Sequence, residues 1–107
     1  MKLSKKIKDA IIKHRDACLP RECCGLIVGS MYVPCDNIAS EGFELCPKSY
    51  VQAARQGAIR AVVHSHPDGD CMPSDMDRAQ MRLHGVPWVI VGQNGDFGVY
   101  GAGGEND

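Results

Sequence analysis

Three short apolar runs punctuate the chain, and they constrain its fold more than anything else in it. Residues 23–29 read Cys-Cys-Gly-Leu-Ile-Val-Gly, residues 59–66 carry Ile59, Val62 and Val63, and residues 88–91 read Trp-Val-Ile-Val. Each is too short for a helix and too continuous for a half-exposed strand, so each predicts a buried strand. Residues 31–35 follow a Gly29-Ser30 turn as a hairpin partner, with 37–39 as an extension. Residues 97–100 return after the Gln93-Asn94-Gly95-Asp96 turn. Residues 43–46 predict one more short strand.

Between these runs the period changes. Ser4 can cap a helix to about Ala17, with Leu3, Ile7, Ala10, Ile11 and His14 on one stripe. Pro47-Lys48-Ser49 opens a helix of about two turns that ends at Gly57, with Tyr50, Val51, Ala54 and Ile59 on its apolar side. Residues 74–84 form a third, with Met76, Ala79, Met81 and Leu83 for packing, and His84 favoured at its end by the dipole. The expected order is α-β-β-β-α-β-α-β-β. Residues 1–101 make one α/β domain, and the Gly-rich residues 102–107 a flexible tail or the start of a linker.

Composition narrows the function. Of 107 residues, 44% are hydrophobic, and the net charge is −1. Basic residues cluster only at Lys5, Lys6 and Lys8, on the solvated side of the first helix, so nucleic acid is not an expected partner. No apolar run approaches the ~20 residues of a membrane span, and the first residues have no apolar core that would make them a signal peptide. The six cysteines (Cys18, Cys23, Cys24, Cys35, Cys46, Cys71) contain no C-x-x-C pair. They are expected to be reduced thiols in a cytosolic protein.

The chemistry concentrates in residues 64–77, His-Ser-His-Pro-Asp-Gly-Asp-Cys-Met-Pro-Ser-Asp-Met-Asp. On a strand, His64 and His66 project to one face while Ser65 points away. Two imidazoles on one wall can hold a zinc ion, and Asp77, one turn into the next helix, can supply a third ligand. Three protein ligands leave a position for water, whose pKa zinc lowers towards ~7. Glu22, at the mouth of the first strand, is the candidate general base, and Ser74 can steady a developing oxyanion. Ser74-x-x-Asp77 is equally an ordinary helix start, a capping serine and its acid. Ser74 can serve both purposes, whereas Asp77 would have to choose. Cys71 lies outside the ligand set, and Trp88 is expected in the core.

His64-Ser65-His66-Pro67, Ser74, Asp77 and the upstream Glu22 resemble the JAMM signature of the MPN-plus metalloproteases. The resemblance implies an α/β domain with a mixed, curved sheet flanked by helices. It implies that His64, His66 and Asp77 bind one zinc ion, with Glu22 as base and Ser74 stabilising the tetrahedral intermediate. The segments 20–29, 61–67 and 87–91 are similar, more narrowly, to the N-terminal domain of the tail-assembly K proteins of lambda-like phages and prophages. That implies a zinc metallopeptidase or isopeptidase in tail assembly or cell-wall entry, in the host cytoplasm or within the virion tail. Tail-tip proteins, or a C-terminal domain that cuts cell-wall peptides, would be its partners. Two other readings stay open: a metal-braced structural module of the tail tip, and a prokaryotic enzyme that removes ubiquitin-like proteins.

Overall fold

The computed structural model describes residues 1–83 and 85–101. Within them the elements run α1 (Lys5–Cys18), β1 (Cys24–Val28), β2 (Met31–Cys35), α2 (Pro47–Ala54), β3 (Ile59–Ser65), α3 (Asp75–Met81), β4 (Trp88–Val91) and β5 (Phe97–Tyr100). They follow the expected order. Residues 43–46 contribute their strand character as a bridge, Asn37 with Leu45. His84 and residues 102–107 fall outside the described residues, and with them the expectations of a histidine at a helix end and a flexible tail.

The five strands form one mixed sheet in the order β2-β1-β3-β4-β5. β3 and β4 are parallel, and every other neighbouring pair is antiparallel. A parallel pair needs a long crossover, and residues 66–87, carrying α3, supply it. Alternation along the strands divides the core in two. Ile27, Ala61, Val63, Val89 and Val91 face α1 and its Ile7 and Ile11. Leu26, Val62, Trp88 and Ile90 face Ala53 of α2 and Met81 of α3. Each fully buried aliphatic side chain contributes about 1.5–3 kcal/mol, which accounts for the central strands being apolar on both faces.

Local chemistry sets the helix starts. Ser4 caps α1 by accepting the Ile7 N–H at 3.2 Å. His14, on the same stripe, sits 2.6 Å from the Tyr32 hydroxyl and ties α1 to β2. Gly25 leaves room for that tyrosine, because a Cβ there would lie 2.5 Å from its ring.

The two later helices depart from the expected faces. In α2 the buried residue is Ala53, while Tyr50 and Val51 are about half exposed and Ala54 is exposed. α3 ends at Met81, earlier than expected. Met81 is fully buried, but Met76 and Leu83 are 69% and 82% exposed, and Ala79 is exposed. A helix of two turns touches the sheet with one or two positions, so its other apolar residues stay in solvent.

Candidate metal centre

His64 and His66 leave the end of β3 on the face covered by α2 and α3. Their Nε2 atoms are 3.2 Å apart. Asp77 reaches both, with Oδ1 3.1 Å from His64 Nε2 and Oδ2 3.0 Å from His66 Nε2. With zinc–ligand bonds of about 2.0–2.1 Å, ligand atoms on a tetrahedron stand roughly 3.3 Å apart. The two nitrogens and the Asp77 carboxylate, one oxygen facing each nitrogen, therefore stand close enough to share one small divalent ion. Glu22, His64 and His66 also each offer a ligand atom within 4.8 Å of the others. Glu22 thus borders the same two imidazoles.

The surroundings aim these groups. The backbone carbonyl of Asp70 lies 2.8 Å from His66 Nδ1, so it can take the Nδ1 proton and leave Nε2 to face the cleft. His64 is fully buried, its ring stacked on Phe43 with centroids 4.4 Å apart and planes at 19°. Among the described residues its Nδ1 has no hydrogen-bond partner. Ser65 points to the opposite face, where its Oγ accepts the Cys23 N–H at 2.8 Å. That bond fixes the chain directly after Glu22. Asn37 anchors the other side, donating to the carbonyls of Glu22 and Gly42 and accepting the N–H groups of Ala39 and Glu44, all at 3.0 Å.

Ser74 and Asp77 form a capping box at the start of α3. Ser74 Oγ accepts the Asp77 N–H at 3.1 Å, and Asp77 Oδ2 accepts the Ser74 N–H at 2.9 Å. The Asp77 oxygen that caps the helix also lies 3.0 Å from His66 Nε2, so capping does not take the carboxylate away from the histidines. Capping is what holds the carboxylate against the histidines. Ser74 stays exposed at the cleft, with its hydroxyl proton free of the cap.

Electrostatics separate the acids. Burial alone would raise the Asp77 carboxyl, but hydrogen bonds from His64 and His66 outweigh it and hold Asp77 ionised well below the usual carboxylate range. Burial raises Glu22, opposed by His66 and reinforced by Asp77. Burial also lowers His64, against its bond to Asp77, whereas the Asp77 hydrogen bond raises His66. The cleft in front of them encloses about 670 Å³ and gathers Glu22, Glu41, Glu44, Asp68 and Asp77. No lysine or arginine is among the described residues that line it.

The remaining candidates lie elsewhere. Cys71 leans on the apolar cluster, and its carbonyl accepts the Tyr100 hydroxyl at 2.6 Å. Cys23 and Cys24 are fully buried, and burial pushes the Cys24 thiol up to about 12. Trp88 is core, edge-on to His64. Phe43 and Asn37 had no signal as site residues in the sequence. Asn37 is a common turn residue, and Phe43 reaches His64 only because its loop folds back over β3.

Residues 4–101 match the family of prokaryotic homologs of the JAB domain. The tail tip assembly protein K of Escherichia phage N15 is 41% identical over 96 residues, covering 83% of this chain. The chain spans 40% of that protein's length, and its match to the phage lambda counterpart covers 24% of that one. A desampylase of Haloferax volcanii is 29% identical over 114 residues, with 89% of this chain and 82% of the desampylase aligned. A JAB1/MPN domain protein of Archaeoglobus fulgidus superposes over all of this chain and 94% of its own, with TM-score 0.72 and 23% identity. A structure described as a JAMM metalloprotease-like zinc site in the proteasome and signalosome gives TM-score 0.68 at 24% identity, covering 100% of this chain and 92% of its own.

Proposed function

Because the chain belongs to the family of prokaryotic homologs of the JAB domain, we propose that it is a zinc-dependent hydrolase of peptide or isopeptide bonds. The observation that carries this reading is the convergence of His64, His66 and Asp77 at 3.0–3.2 Å beside Glu22. His64, His66 and Asp77 would hold the ion. When bound, zinc supplies Lewis acidity, which polarises a carbonyl and acidifies water.

The chain's own groups do the rest. Asp77 stays ionised and keeps both Nε2 atoms turned inward. Glu22, raised by burial, is a base strong enough to take a proton from water and an acid ready to pass it to the departing amine. Ser74 spends its Oγ lone pair on the Asp77 N–H, and its own O–H can donate to the oxygen that gains charge. The acidic cleft suits a peptide and repels phosphates, in keeping with a protein substrate rather than a nucleic acid.

The relatives suggest two settings. Similarity to phage tail tip proteins supports a role in tail assembly or cell-wall entry, in the host cytoplasm or in the virion, with tail-tip proteins or a cell-wall peptidase domain as partners. Similarity to a desampylase supports removal of a ubiquitin-like protein. A purely structural, metal-braced module is the remaining reading, and the tail tip relatives favour it over no function at all. Among the described residues no helix is long and apolar enough to cross a membrane.

The deciding experiment is Glu22→Gln. We expect about one zinc per chain by elemental analysis in both proteins, and hydrolysis of peptide or isopeptide reporters lowered about 10²- to 10⁴-fold in the variant. Unchanged cleavage would remove Glu22 from the mechanism. Unchanged tail assembly beside lost assembly in His66→Ala would favour the structural module.

A further inference from the structure

Next to the metal cleft lies a second concavity of about 460 Å³, lined by Phe43, Leu45, Tyr50, Val51, Val62 and Trp88, among others. It shares Phe43, Glu44 and Gln80 with the cleft, so the two are continuous. The partition between them is the Phe43 ring, which stacks on His64 and meets Trp88 edge-on at 5.6 Å. Tyr50 and Val51 leave 44% and 49% of their surface exposed. They belong to a short helix whose buried residue is Ala53. Apolar surface left open beside a reactive centre is where a ligand recovers the free energy of burial.

We propose that this groove is the subsite for a large apolar side chain, aromatic or long aliphatic, of the peptide hydrolysed in the adjoining cleft. The inference rests on the proposed function of that cleft. An extended peptide rises about 3.3 Å per residue and turns alternate side chains to the same wall. A residue within about two positions of the scissile amide therefore meets the groove, one ring's thickness from His64. The space takes an aromatic side chain whole, whereas a serine would leave it wet. Phe43 does double duty, fixing a metal ligand and forming one wall of the subsite, so filling the groove also presses on the ligand set. Glu44 and Gln80 at the shared rim can bond the peptide backbone between the two spaces.

The test uses two probes, N-acetyl-phenylalanine methylamide and N-acetyl-serine methylamide, titrated into the zinc-loaded full chain and followed by amide NMR. The phenylalanine probe should shift Phe43, Leu45, Tyr50 and Val51, and bind about tenfold or more tightly than the serine probe. Val51→Asp, at a half-exposed helix position, should abolish those shifts while the rest of the spectrum stays in place. Equal binding of both probes would overturn the proposal. So would shifts at Tyr50 and Val51 that follow protein concentration without probe, since a second copy would then cover the groove. Peptides differing only in Phe or Ser beside the cleaved bond give the activity arm, with a kcat/KM ratio that should fall about tenfold in Val51→Asp. Failure to cleave either peptide would count against the cleft reading, and the probe titration would still decide the groove.

Discussion

Asp77 carries two loads with one side chain, and conservative substitutions can separate them. Asp77→Asn keeps an oxygen for the Ser74 N–H but gives up the charge that His64 and His66 hold ionised, so in the presence of chelator it should be less stable than the parent while retaining the cap. Asp77→Ala loses the cap and should cost about 1 kcal/mol in urea unfolding. Both should lose tight zinc binding by competition titration, because neither presents a carboxylate to the imidazoles. His14 offers a different measurement. Burial lowers its pKa, opposed by Asp36, so the folded state binds fewer protons than the unfolded chain. Its contribution is complete above the unfolded value of ~6.5 and is lost as pH falls below it. Thermal unfolding should therefore show a larger drop from pH 7.5 to pH 5.5 in the parent than in His14→Gln. The candidate ligands and serine were readable at this scale because residues 64–77 place them almost contiguously, with the candidate base Glu22 upstream at the mouth of β1. Phe43 was not readable, since stacking on His64 depends on where a distant loop lands.

At the scale of elements, the loop from Pro67 to Pro73 is held from outside the motif. Gly92, just past β4, abuts it so closely that a Cβ would stand 2.9 Å from the backbone of Asp70 and Cys71. Gln93 N–H also donates to the Gly69 carbonyl at 2.8 Å. Gly92→Ala must push this loop outward, and with it the Asp70 carbonyl that orients His66. We expect zinc affinity lower by about 10- to 100-fold in a competitive chelator titration, though no ligand is altered. The strands were legible from their unbroken apolar runs, and α1 from a stripe long enough to show its period. α2 and α3 were legible as helices but not in their faces. Val51 and Ala53, or Met76 and Met81, are equally apolar on paper, and only docking onto the sheet decides which is covered.

For the molecule as a whole, the proposed metal would be linked to the fold. The ligands come from the end of β3 and the start of α3, on either side of the long loop, and Asp77 is ionised against two imidazoles. An ion bound only by the folded state stabilises it by about 4 kcal/mol at a thousandfold excess over Kd. Chelation should accordingly lower the melting temperature by roughly 10 °C or more, and added zinc should restore it. The mixed sheet was foreshadowed by the family resemblance that the motif carries. The groove beside the cleft was not, because it is made by residues that fail to enter the core.

The backbone N–H of His66 is held at 2.9 Å by the carbonyl of Val91, and Ser65 is paired in register with that same residue. During synthesis the ligands His64, His66 and Asp77 emerge before β4 does. Until residues 88–91 are free of the ribosome, the end of β3 lacks the neighbour that sets its direction. A chain that ends in the crossover after Asp77 thus carries every proposed ligand and the proposed base, yet lacks the strand that sets the end of β3. If the cleft hydrolyses amides as proposed, that competence would wait for β4, the parallel partner that β3 gains last.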